Sequence, residues 1–272
     1  MVDQPKSDDF AIEVRHLRKE FGVLKAVDGI SFELKRGEFL SVFGPNGAGK
    51  TTLIKILTGL TRPSSGTARV AGYEVEEGRP EMRREIGVIS HSTALYADLT
   101  PMENLVFYGK MYGLECPEES ALASLEDVGL APRRHDRVRT FSRGMVQRLS
   151  IARAILHDPS ILFLDEPFTG LDLHASNVFK EHLQNLHSKK RTILMTTHDV
   201  SRGLEMCDKV ALMVMGRFAF FKDIKEVNKE NFETMYFDAV RNNQFTMGIR
   251  NTLAGEADSK SPLSRDNSLP AK

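Results

Sequence analysis

The chain has 272 residues, 41% hydrophobic and 27% charged, so it can bury a substantial core and disorder is not the default. Its 37 Lys and Arg balance 37 Asp and Glu, and overall charge therefore calls for no nucleic-acid partner. The two cysteines, Cys116 and Cys207, have no Cys or His neighbour at metal-ligand spacing; they read as ordinary, partly buried thiols in a reducing compartment.

Residues 1–10 are polar and acidic without the apolar region of a secretory signal, and predict a polar extension on a cytoplasmic protein. Apolar, β-rich runs follow at Ala11 to Arg15, Ile30 to Leu34, Phe39 to Phe43 and Thr67 to Val70, separated by Gly and charge clusters; they predict strands, with an N-terminal antiparallel β subdomain among them. Further runs at Ile86 to Ile89, Ile161 to Leu164, Thr192 to Thr196 and Val210 to Met213 lack polar alternation. Strands of a mainly parallel sheet, covered by helices on both faces, look like this. From about 99 to 156 the pattern is helical, with Leu105, Tyr108, Met111 and Tyr112 spaced by three and four, and predicts a helical lobe inserted into the α/β core. Phe232, Met235, Tyr236 and Asp238 to Val240 predict a closing helix, giving a domain over 11–241 and a disordered tail over 242–272. The most apolar stretch, Val210 to Phe221, is cut by Gly216 and Arg217 and falls short of the roughly 18 residues of a membrane span. Any membrane path must come from another chain. No internal repeat is visible, which predicts a single unit.

Gly44-Pro45-Asn46-Gly47-Ala48-Gly49-Lys50-Thr51-Thr52 lies between the run Phe39 to Phe43 and the helically spaced Leu53, Ile54, Ile56, Leu57 and Leu60. This is the strand, loop, helix context of a P-loop NTPase core. Its glycines let backbone N–H groups approach phosphates, and the helix N-terminus adds a positive dipole end. Lys50 is expected to reach the β and γ phosphates, and the Thr51 hydroxyl to bind Mg²⁺. Ile161-Leu-Phe-Leu-Asp165-Glu166 is an apolar strand ending in two carboxylates. Asp165 would hold Mg²⁺ through its water shell and Glu166 would polarise the attacking water, against the alternative of a solvated loop.

From about Ile12 to Phe221 these motifs, in this order, resemble the ABC ATPase family. The resemblance implies that Phe21 stacks on adenine, the alternative being a core aromatic. Phe141-Ser142-Arg143-Gly144-Met145 resembles the signature motif, with Arg143 in place of the first signature Gly and Met145 in place of the Gln. Ser142 and Gly144, which carry the phosphate contact in the family, are kept. Thr169-Gly170-Leu171-Asp172 is similar to the D-loop, His198 to the switch histidine that contacts the γ phosphate, and His91 stands where the family has the Q-loop glutamine. Neutral imidazole suits Mg²⁺ poorly as a direct ligand, so His91 would act through water. The run Arg133 to Arg139, without interleaved aromatics, reads as a solvated face.

The resemblance further implies an ATP- and Mg²⁺-dependent ATPase peripheral on the cytoplasmic face of the cell membrane. It would pair head to tail with a second copy and with a membrane-spanning permease docked near residues 92–113. Within the family, His91, the Ser-Arg-Gly-Met signature and His157 to Asp172 are most similar to the ATPase of the haem exporter of cytochrome c maturation. Drug, lipid or polysaccharide export is the alternative. A translation or DNA-repair ATPase is the rival of another class, but neither a second cassette nor a long coiled-coil insertion is seen.

Overall fold

In the computed structural model, which describes residues 9–75, 79–90 and 93–241, the early strands pair antiparallel. Strands β1 (Phe10–Phe21), β2 (Leu24–Lys35), β4 (Ser65–Val70) and β5 (Tyr73–Glu74) form one sheet in the order β2-β1-β4-β5. On β2 the alternation Ile30, Phe32, Leu34 faces inward while the residues between face water, as a sheet buried on one face requires. Both β1 and β2 run further toward the Phe21–Leu24 turn than their apolar runs suggested, because the outer halves are mostly polar and bury only Leu17 and Val27 while the ladder continues. Phe10 already belongs to β1, one residue ahead of the expected domain start.

The second sheet has the order β10-β9-β3-β8-β7-β6. Strands β3 (Phe39–Phe43), β6 (Ile86–Ile89), β7 (Ile161–Asp165), β8 (Thr192–Thr197) and β9 (Lys209–Val214) are parallel, and β10 (Arg217–Asp223) closes the edge antiparallel. Every residue of β3, β7 and β8 is buried, the consequence of cover on both faces. The apolar stretch Val210 to Phe221 is a β9–β10 hairpin turning at Met215–Gly216, where Gly216 takes φ +82°. Among the described residues, no helix is long and apolar enough to cross a membrane.

Two cores result. One lies between the sheets around α1 (Lys50–Leu57), which buries Leu53, Ile54, Ile56 and Leu57. Leu60 lies past the end of α1 and is exposed. The other lies between the parallel sheet and α3 (Pro101–Tyr112), α4 (Pro117–Asp127), α5 (Arg143–Ile155), α6 (Leu173–Ser188) and α7 (Val200–Met206), with the short α2 (Pro80–Glu85) leading into β6. α3 starts at a capping box in which Thr100 and Glu103 satisfy each other's backbone N–H, and Pro101 begins the helix. Of the residues at helical spacing, Met111 is exposed, whereas Leu105 is fully buried. Cys116, expected to be partly buried, is exposed ahead of α4; Cys207 is buried, and burial pushes its thiol up to about 11.

The closing helix, α8 (residues 229–241), docks through Phe232, which is 1% exposed and meets the rings of Phe43 and Phe220 at 5.0 and 5.7 Å. Phe43 ends the strand that leads into the phosphate loop, so α8 supports that loop from behind. Phe232→Ala is expected to cost about 3–5 kcal/mol, the range for an aromatic removed from a packed core. Urea unfolding measures it, and a loss below about 1 kcal/mol would detach α8 from the core. The tail 242–272, the extension up to residue 8 and His91 lie outside the described residues.

Candidate nucleotide site

β3 delivers the chain into Gly44, and α1 starts at Lys50, so the loop between them lies at the carboxyl edge of the parallel sheet. Pro45 and Ala48 are buried, and Asn46 and Gly47 are exposed at the turn. Two glycines are required sterically. A Cβ on Gly44 would sit 2.3 Å from Met213 O, and one on Gly49, at φ +105°, 2.0 Å from Ala26 O. Gly49→Ala is therefore expected to lower ATP affinity by about tenfold or more, the effect of 1–3 kcal/mol of local strain passed to the loop. A titration with a fluorescent ATP analogue checks this, and native affinity would show that the loop absorbs the methyl group.

Lys50 is almost fully buried, and its Nζ donates to Gly44 O at 2.6 Å and Pro45 O at 3.3 Å while pairing with Glu166 Oε1 at 3.2 Å. The ammonium is thus turned into the loop. Thr51 Oγ1 donates to Asp165 Oδ1 at 3.2 Å, and Thr196 Oγ1 donates to the same oxygen at 2.7 Å. Glu166 follows Asp165 with φ +52°, held by its N–H to Thr196 O, and its Oε2 lies 2.7 Å from His198 Nδ1 and accepts from His198 N–H. Lys50, Thr51, Asp165, Glu166 and His198 therefore form one cluster built from α1, β7 and β8. Sequence reasoning missed Thr196, which clamps both carboxylate residues. The available signal was a second hydroxyl, next to Thr197, on the strand leading into His198.

The hydroxyl and carboxylate oxygens of Thr51 and Asp165 suit a hard divalent cation such as Mg²⁺, and the described residues hold no cluster of His, Cys, Asp and Glu for a softer metal. Phe21 is 53% exposed at the hairpin tip with Lys19 Nζ 5.0 Å from its ring centroid, which overturns the core alternative. Its partner strand β2 passes beside the loop at Ala26.

Ser142 and Gly144 are elsewhere. Ser142 caps α5 by accepting from Met145 N–H at 3.3 Å, and Gly144 packs closely on Ala175. They line an open groove of about 430 Å³ with Arg143, Gly170, Asp172 and His174, where Asp172 caps α6 through Ala175 N–H at 2.7 Å. Among the described residues no hydrogen bond or ion pair joins Ser142 or Gly144 to the Lys50 cluster. Gln147 Nε2 donates to Pro167 O at 2.9 Å, a tie between α5 and the loop after Glu166 that the sequence did not reveal. The Arg133 to Arg139 face is solvated apart from Val138 and carries the surface pairs Arg133–Asp136 and Arg139–Asp98.

A family model described as ABC transporter matches residues 27–169. The chain belongs to that family. It is an ABC ATPase that binds ATP. This ABC ATPase is 38% identical over 207 residues to the linearmycin resistance ATP-binding protein LnrL of Bacillus subtilis, covering 75% of this chain and 67% of that one. Identity is 37% over 211 residues to the ABC transporter ATP-binding protein NatA of the same organism, covering 76% and 85%. It is 38% over 208 residues to the Nod factor export ATP-binding protein I of Burkholderia lata, covering 76% and 68%. Among solved structures, an ATP-binding subunit of an ABC transporter superposes with a TM-score of 0.74 at 28% identity, over 84% of this chain and 99% of that one. CbiO1 of Clostridium perfringens superposes with a TM-score of 0.73 at 25% identity, over 88% and 99%. The P-loop, mainly parallel sheet and helical lobe of the ABC ATPase are thus those of its relatives.

Proposed function

We propose that this ATPase powers an ABC exporter, working as a head-to-tail pair of copies bound to a permease on the cytoplasmic face of the membrane. The observation that carries the reading is the separation of two half-sites in one chain. The Lys50 cluster holds the triphosphate end, while Ser142 and Gly144 line a groove that opens elsewhere, so a second copy completes each site. Phe21 stacks on the base; Gly44, Pro45, Asn46, Gly47, Ala48 and Gly49 wrap the phosphates; Thr52 continues the helix start. Thr51 and Asp165 would hold Mg²⁺, which would neutralise phosphate charge when bound. As Lys50 turns to the phosphates, Glu166 Oε1 loses that partner and can accept the proton of the attacking water. His198 steadies the other oxygen and meets the γ phosphate. His91 is assigned the Q-loop role, and Asp172 the D-loop role.

The permease reading is supported by Tyr96, Phe107 and Met111, apolar side chains exposed on one side of the helical lobe. The relatives' names, linearmycin resistance and Nod factor export, favour export of a drug, lipid or saccharide. None of the relatives named above is a haem exporter, and the haem reading gives way to this one. The test is to express tagged chain with the permease encoded beside it and isolate it from membranes. A complex that hydrolyses ATP is expected. Recovery with ribosomes instead would overturn the transport reading.

A further inference from the structure

We propose that Arg143 is a further catalytic residue, acting across the dimer on the β and γ phosphates of ATP held by the Lys50 cluster of the second copy. The inference rests on the paired reading above. Arg143 occupies the first helical position of α5, where the family's signature has a glycine, and it is exposed. Among the described residues its guanidinium has no hydrogen-bond or ion-pair partner. Its Nη1 lies 3.2 Å from the point a Cβ on Gly170 would occupy, so the guanidinium reaches over the D-loop. A side chain at Gly170 would push against it, and the φ of +78° there already favours glycine. Arg148, the other guanidinium of the groove, donates to Val128 O at 3.1 Å and is turned into its own lobe. Asp172, the groove's carboxylate, is engaged in capping α6. The groove therefore presents one uncommitted positive fork beside Ser142 and Gly144, the residues assigned to the phosphate.

Charge balance points to the same ligand. In the Lys50 cluster one ammonium faces two carboxylates, Asp165 and Glu166, so this half-site is short of positive charge for a triphosphate. Backbone N–H groups and Mg²⁺ supply part of it. A guanidinium arriving from the opposite copy supplies more, in a geometry that suits phosphate oxygens and only when the dimer closes. Positive charge delivered late in this way favours the transition state over the bound substrate.

The experiment compares full-length Arg143→Gln and Arg143→Lys with the native protein. Arg143→Gln is expected to lower kcat by about tenfold to a thousandfold, approaching the lower end of arginine-finger effects, with the KM for ATP shifted less than about threefold. Arg143→Lys should recover part of the rate because it keeps the charge. In the Glu166→Gln background, Arg143→Gln should weaken the ATP-induced dimer while a single protomer binds a fluorescent ATP analogue as before. Native kcat in Arg143→Gln, or equal rates for Gln and Lys, would overturn the proposal. Absence of an ATP-induced dimer in Glu166→Gln with Arg143 intact would instead overturn the paired reading on which it rests.

Discussion

Glu166→Gln is expected to cut ATP turnover by about a hundredfold or more while leaving ATP binding intact, the scale of a lost general base. The substitution keeps the size of the side chain, so the backbone hold of Glu166 N–H on Thr196 O should survive, as should the left-handed φ of +52° it maintains. What disappears is basicity and the ion pair from Lys50 Nζ to Oε1 at 3.2 Å. Loss of that pair frees Lys50 for the phosphates, which favours binding. Loss of the base leaves the attacking water unassisted, which blocks the step that would release the nucleotide. The variant should consequently accumulate as an ATP-bound dimer, seen by size exclusion with and without ATP, with phosphate release measured in parallel. Near-native turnover would refute the role given to Glu166.

The same cluster marks how far sequence reasoning reaches. β3, the glycine loop and the start of α1 were legible because each is local: a buried run, glycines at fixed offsets, then helical spacing. Asp165 and Glu166 were legible as the polar end of an apolar strand. The grip of Thr196 on Asp165 was not, because it depends on β7 and β8 being neighbours, which no single segment states. The approach of Arg143 to Gly170 was hidden for the same reason, as it joins α5 to the loop before α6. β10 was hidden by its composition, since Arg217 and Lys222 on an edge strand mask the ladder that pairs it with β9. Phe21 reads equally as core or surface by type, and only its position at a hairpin tip takes it out of the core.

Lys50→Ala is expected to abolish tight nucleotide binding. Truncating one partner of a largely desolvated charge pair costs about 2–5 kcal/mol, or about 30- to several-thousand-fold in Kd. The native ammonium bonds to two loop carbonyls, Gly44 O at 2.6 Å and Pro45 O at 3.3 Å, and to Glu166. Without it, the loop loses the cation that holds its carbonyls inward. The two carboxylates then face an incoming triphosphate with no side-chain cation in the cluster, so repulsion adds to the lost contact. Fold should be kept, because Lys50 lies at the helix start and the core beneath it is carried by Leu53, Ile54, Ile56 and Leu57. Isothermal titration with ATP and a thermal melt separate these effects. Unaltered affinity with an unaltered melt would mean that the backbone alone grips the phosphates and that Lys50 serves only to hold Glu166. Weakened affinity with an unaltered melt assigns the lysine to the nucleotide. Since Glu166→Gln should bind ATP but not turn it over, the two variants divide the cluster into a binding half on α1 and a chemical half on β7.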